Sequence, residues 1–330
     1  LLIKVLWVFA VFSLFGCSQQ EVHTGQSSLA LHHSDKIITA SALSQDGAFN
    51  LVADGSQLCL WKNLEAKSPL NCLQGAQAQF VELLDISKNN QFYLVSNRVS
   101  VSLFSLVKHQ LLAQWQFGEN IINDLDISAQ GDIILLGFRS GKAAVIDVKK
   151  NSVSIFDKHR LDINSVSLSD NGAIAFTGSS DKKALLWQSK SGKTLHAFDH
   201  GSRVNHVTLS GDASIAFTLD AIKDRTFWDL SSGEVLAQLD TYLKFIEFND
   251  ALFSPDNATL LSGSPRQVLQ LWRVFDGALL GQWQSAVTRG RSSVLSVAYA
   301  GKGLIATTNS DGLFEQWPLP ELVTKSLTEN

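Results

Sequence analysis

Phe156-Asp157-Lys158-His159, Ile163-Asn164-Ser165-Val166-Ser167-Leu168, Ser169-Asp170-Asn171-Gly172, Ala173-Ile174-Ala175-Phe176-Thr177-Gly178, Ser179-Ser180-Asp181, Ala184-Leu185-Leu186-Trp187 and, past Ser191-Gly192-Lys193, Thr194 to Phe198 form one continuous unit of this sequence. It holds four short runs of β-favouring residues separated by turn formers, which is the pattern of a small antiparallel sheet. Such a sheet cannot bury both of its faces alone. Copies of it have to stack.

The copies are found by two markers. Trp61, Phe104, Ile146, Trp187, Trp228, Trp272 and Trp317 follow one another at intervals of 43, 42, 41, 41, 44 and 45 residues, and the turn serines Ser44, Ser87, Ser128, Ser169, Ser210 and Ser254 keep the same phase. A seventh turn, Ala300-Gly301-Lys302-Gly303, follows at the right distance without its serine. A period of about 40 to 45 residues with four strands per copy is that of a propeller blade. The fold expected is all-β: a seven-bladed β-propeller of four-stranded antiparallel blades.

At these residues the sequence resembles the WD-repeat family. The unit at Phe156 to Phe198 carries that family's histidine before the first strand (His159), its serine or threonine in the second (Thr177), its aspartate in the next turn (Asp181) and its tryptophan six residues on (Trp187). The resemblance implies that these four form a hydrogen-bonded structural tetrad across the blade. Phe253-Ser254-Pro255-Asp256 and Phe227-Trp228-Asp229-Leu230 are further fragments of the same kind, and the resemblance extends over about residues 26 to 317. It is weakest in blades two and three, where Phe104 and Ile146 replace the tryptophan.

Composition sets the remaining bounds. The chain has 330 residues, 45% of them hydrophobic and 18% charged, which suits a globular protein with a sizeable core. The unbroken repeat argues for one ring over residues 26–330 rather than two domains, because cutting it would leave open sheet edges. A formal net charge of -4 gives no electrostatic footprint for nucleic acid.

The two ends of the repeat are complementary. Ser27-Ser28-Leu29-Ala30-Leu31-His32-His33 reads as the outer strand of a blade with nothing before it, and the last repeat lacks an outer strand after Trp317. Residues 27 to 31 are therefore expected to complete the last blade beside Leu313 to Trp317 and so close the ring.

Before that strand lies a different kind of segment. Lys4 precedes the apolar run Val5 to Phe12, which is too short for a comfortable membrane span, and Leu14-Phe15-Gly16-Cys17 follows. This resembles a bacterial lipoprotein lipobox. The resemblance implies that residues 1–16 are a signal peptide, that Cys17 is acylated, and that 17–25 tether lipid to ring. Ser18 after the cysteine points, by the same resemblance, to the outer membrane facing the periplasm.

Catalytic patterns fail on spacing. Gly137-Phe138-Arg139-Ser140-Gly141-Lys142 is one residue short of a phosphate-cradling loop, and Ser191-Gly192-Lys193-Thr194 lacks the first glycine of one. The eight histidines show no metal-ligand spacing, so neither a metal nor a cofactor is expected. Cys59 and Cys72 fall on the third and outer strands of the first blade, almost opposite each other across a turn near Glu65-Ala66. A disulfide and two buried thiols both remain open for them.

One pattern lies outside the repeat. Arg98, Arg139, Arg160, Arg203, Arg225, Arg266, Arg289 and Arg291 fall in links between second and third strands or between one blade and the next. In antiparallel blades these links emerge on one face of the disc. Lys62, Lys67, Lys108, Lys149, Lys150 and Lys190 sit on the other. Aspartates including Asp54, Asp162 and Asp311 share the arginine face, so its charge is mixed. Arginine is the cation enriched in protein interfaces, and a protein partner is expected there rather than a phosphate or lipid head group.

The expectation is a lipid-anchored, non-catalytic platform for protein partners in the bacterial envelope, touching the membrane only through its anchor. One alternative is a component of outer-membrane protein assembly or quality control. Another, from a different class, is a propeller hydrolase or lyase with its site at the central channel.

Overall fold

A computed structural model describes residues 22–65, 67–75, 78, 80–222, 224–241, 246–301 and 303–320. The expected signal peptide, Cys17 and residues 18–21 lie outside the described residues. Within them are 28 strands in seven four-stranded sheets, with neighbouring strands of each sheet antiparallel. The innermost strands of neighbouring blades touch all the way round, including the last (Val294–Tyr299) with the first (Ala40–Leu43), so the ring is closed.

Closure depends on the N-terminal strand. Leu29–His32 pairs with Leu313–Pro318 of blade seven, Leu29 opposite Gln316 and His32 opposite Leu313. Blade seven thus takes three strands from the end of the described chain and one from its beginning. That pairing covers the edge of Leu313–Pro318 that would otherwise lie open.

The turn between first and second strands explains the serine marker. Ser169 Oγ donates to Asn171 Oδ1 at 2.8 Å and accepts the Ile174 N–H at 3.0 Å. Ser44, Ser87, Ser210 and Ser254 do the same with Asp46, Asn89, Asp212 and Asp256. The residue at the left-handed position of the turn is Gly47, Asn90, Gly131, Gly172 or Asn257, where glycine and asparagine are the cheapest choices, and Ala213 in blade five, all with φ between 55° and 75°.

The marker tryptophans sit between blades. Trp187 packs with Ile163, Val166, Leu168, Ala175 and Leu185 of its own blade against Leu135, Ala143 and Val145 of blade three. Where the tryptophan is missing, Phe104 stacks on Tyr93 at 5.0 Å and Ile146 is fully buried, so a smaller side chain fills a smaller seam. Each such apolar side chain contributes about 1.5–3 kcal/mol on burial. Close blade contact also requires glycine in places: a Cβ on Gly178 would lie 2.6 Å from Val207 and 2.7 Å from Val204 of the next blade.

The first strands of blades one, two and six begin at Ala40, Leu83 and Asp250, just after the buried Ile38, Val81 and Ile246. The segment expected to join lipid to ring meets the propeller at His23. His23 bridges in parallel to Gly281 on the outer strand of blade six, its N–H donating to Leu280 at 3.0 Å and its carbonyl accepting from Gln282 at 2.8 Å. The exposed edge of Leu279–Gln284 offers those unpaired backbone groups.

Candidate functional site

Two regions carry chemistry beyond packing: the face bearing the interblade links and the central channel. The tetrad belongs to neither. Trp187 Nε1 donates to Thr177 Oγ1 at 3.3 Å, His159 Nε2 lies 2.8 Å from the same hydroxyl, and His159 Nδ1 lies 3.1 Å from Asp181 Oδ1. Since the hydroxyl accepts from the indole, it donates to Nε2, which leaves the Nδ1 proton for Asp181. Burial holds the His159 pKa below the usual histidine value, consistent with that neutral ring. The chain of four ties the link entering blade four to its second and third strands.

On the link face, Arg98, Arg139, Arg160, Arg203, Arg266, Arg289 and Arg291 are exposed. Arg225 is not. It begins the third strand of blade five (Arg225–Asp229), opposite Leu219 in the ladder at the position Ala184 holds in blade four, and is only 7% exposed. Arg98 pairs with Glu82, and Arg139 lies 3.9 Å from Asp162. Arg160, Arg203, Arg266, Arg289 and Arg291 make no ion pair among the described residues. The same links expose apolar side chains: Ile37, Phe80, Val99, Leu161, Ile222 and Val287, with Phe80 76% exposed. Unpaired arginine interleaved with exposed apolar groups is a composition suited to a protein interface.

The central channel encloses about 1000 Å³ and is lined by the first strands. Its walls carry Asp85, Asp124, Asp126, His206 and Asp250 among serines and threonines. Sequence reasoning missed this set. The signal was present as a polar ladder in register with the turn serines: Asp85, Asp126, Ser167 and Thr208 two residues before them, Asp124, Ser165, His206 and Asp250 four before.

The ladder joins the blades. Asp85 Oδ2 accepts the Ile127 N–H at 3.0 Å, Asp124 Oδ2 that of Val166 at 2.8 Å, Asp126 Oδ2 that of Leu168 at 2.6 Å and Asp250 Oδ2 that of Val297 at 2.8 Å. Ser165 and Ser167 receive Val207 and Leu209 in the same way at 3.1 Å. Each bond leaves a first strand for the first strand of the following blade, which would otherwise have a free edge facing the channel. Toward the link face, Asn123, Asn164 and Asn249 donate to Ile163, Val204 and Val294 carbonyls, again one blade on.

Burial dominates the electrostatics here. It pushes the carboxyl of Asp124 up to about 7 and those of Asp126 and Asp250 up to about 6, against the backbone donors that favour the ionised form. Asp85 is raised well above the carboxylate range by burial and by the charge of Asp126. His206 is pulled down to about 4 by burial, and its Nε2 has no hydrogen-bond partner among the described residues.

Cys59 and Cys72 are directly opposite in the ladder and joined by a disulfide, with sulfurs 2.01 Å and Cα atoms 4.1 Å apart. Among the described residues no helix is long and apolar enough to cross a membrane.

Comparison with known families gives a match to the WD domain, G-beta repeat, over residues 150–188. The matched segment runs from the outer strand of blade three (Ser152–Asp157) through the first three strands of blade four, which includes the whole tetrad. No curated protein matches the chain. The matched repeat and the seven-bladed ring together support the WD-repeat propeller family.

Proposed function

From a propeller of WD-repeat type as premise, we propose that this chain is a non-catalytic docking platform for protein partners, bound through the link face and held to a bacterial envelope membrane by acylated Cys17. The observation that carries the reading is the link face itself, where five exposed arginines without ion-pair partners among the described residues lie beside Phe80, Leu161, Ile222 and Val287. Propellers of this family typically serve as interaction scaffolds. The Cys59–Cys72 bridge supports an oxidising compartment such as the periplasm. Ser18 after Cys17 favours the outer membrane, with the propeller facing the periplasm.

Two experiments test this. Crosslinking in intact cells, followed by identification of what accompanies the tagged protein, should recover a protein partner; recovery of none contradicts the platform. Labelling with a fatty acid should mark the wild type and leave Cys17→Ser unlabelled. Absence of label from the wild type overturns the anchor. A partner belonging to the outer-membrane assembly machinery would sharpen the role to protein assembly or quality control.

A hydrolase or lyase at the channel is favoured by one specific observation, the cluster of channel carboxyls with raised pKa values. Against it, Asp85, Asp124, Asp126 and Asp250 each hold a backbone N–H of the next blade. Their conspicuous chemistry is accounted for by ring closure. The platform reading therefore stands first.

A further inference from the structure

The histidine of the link entering blade four is bonded at both ring nitrogens. Its counterpart entering blade five, His200, is bonded at neither among the described residues, although it is only 8% exposed. Trp228 donates instead straight to Thr218 at 2.8 Å, and its ring meets His200 edge-on at 6.2 Å. Ile222 occupies the place that Asp181 holds in blade four. Blade five has thus lost the carboxylate that would take the histidine proton, and a buried imidazole with two unsatisfied nitrogens is costly unless something binds it.

Two other carboxylates converge on it. One oxygen each from Asp220 and Asp224 and one ring nitrogen of His200 all lie within 4.8 Å of one another. Both carboxylates are oriented by backbone donors. Asp220 Oδ2 accepts the Ser202 N–H at 3.1 Å, its Oδ1 accepts those of Ile222 at 2.9 Å and Asp224 at 2.8 Å, and Asp224 Oδ2 accepts that of Gly201 at 3.1 Å. Such outer contacts are what hold metal ligands in position.

The geometry points to a divalent transition-metal site formed by His200, Asp220 and Asp224. One imidazole and two carboxylates give three protein ligands with positions left open, a nitrogen and oxygen set that suits zinc, cobalt or manganese better than calcium, which takes oxygen alone. One unbonded ring nitrogen of His200 faces the two carboxylate oxygens and supplies the nitrogen ligand. Buried Arg225 interacts electrostatically with both aspartates. It offsets part of their negative charge and competes with a cation for it. Sequence spacing concealed the cluster because its ligands come from the link entering the blade and from the next hairpin.

Titration of the full chain, freed of any affinity tag, with zinc chloride in a calorimeter tests this. One equivalent should bind and raise the melting temperature. Asp224→Asn and His200→Gln should each weaken binding by about tenfold or more, while the exposed His32→Gln leaves it unchanged. Asp224→Asn keeps an oxygen for the Gly201 N–H, so it decides the matter should His200→Gln fail to fold. No zinc bound by the wild type, equal affinity in the site variants, or loss of binding in His32→Gln would overturn the assignment.

Discussion

Asp126 in blade three accepts the backbone N–H of Leu168 in blade four at 2.6 Å. The bond runs from one first strand to the next and does for the channel wall what a ladder does within a blade. Asp126→Ala removes the acceptor and leaves that N–H without a protein partner, which costs about 1–3 kcal/mol. Urea unfolding of the variant measures it, and unchanged stability would show that the bond across the seam contributes nothing.

The channel carboxyls give a pH dependence with a defined sign. An unfolded aspartate titrates near about 3.9, whereas Asp124 in the folded ring is pushed up to about 7 by burial. The folded protein holds that proton longer, so the contribution is fully present below the unfolded pKa and is lost as pH rises through about 7. His33 and His206, pulled down to about 4 by burial, act in the opposite sense, losing stability as pH falls from about 6.5. The wild type compared with Asp124→Asn isolates the carboxyl. The wild type's advantage in melting temperature should be larger at about pH 5 than at about pH 8, and a difference independent of pH contradicts the assignment.

The tetrad should behave as a unit. Thr177→Val keeps the shape but removes the hydroxyl that joins Trp187 to His159. We expect a loss of about 1–3 kcal/mol, and His159→Ala in the same background should add less than it costs alone. Full additivity would mean that the four residues act separately.

Ring closure by Leu29–His32 predicts that deletion of residues 27–31 broadens or abolishes cooperative thermal unfolding. Deletion of 18–21 should leave the transition intact. A sharp, unshifted transition without residues 27–31 would mean that the ring holds without its closing strand.

The Cys59–Cys72 bridge closes a short loop, with a sequence separation of 13. Loops of that size contribute about 3 kcal/mol in the chain-entropy account, so Cys59→Ser with Cys72→Ser should lower stability by roughly 2–3 kcal/mol. Identical gel mobility of the wild type with and without reductant, and both thiols titratable after denaturation, would contradict the bridge.

Much of this fold was legible because its markers are tied to geometry. Ser169 is fixed by its turn, Trp187 by its seam, and the unmatched strand at Leu29 by the deficit after Trp317. The channel was not legible in the same way. Asp124 and Asp126 alternate with apolar residues as solvent-facing polar residues do, and nothing in alternation separates an outer surface from the inside of a ring. Arg225 was misplaced because it belongs to the ladder of blade five, opposite Leu219, rather than to the link before it. His200 stands 41 residues after His159, one repeat on in the same place. Only the three-dimensional positions of Asp220 and Asp224 distinguish it from His159.

The central claim is that the link face binds protein. The most direct measurement compares partner recovery by wild type, by Arg160→Glu/Arg203→Glu/Arg266→Glu, and by Lys108→Glu/Lys149→Glu/Lys190→Glu on the opposite face. Exposed substitutions change stability by less than about 0.5 kcal/mol each, whereas interface arginines buried on binding cost about 2 kcal/mol each when lost. The arginine variant should fold with a near-native melting temperature and lose its partners, and the lysine variant should keep them. A folded arginine variant that recovers the same partners as the wild type, with the lysine variant losing them, would contradict the account.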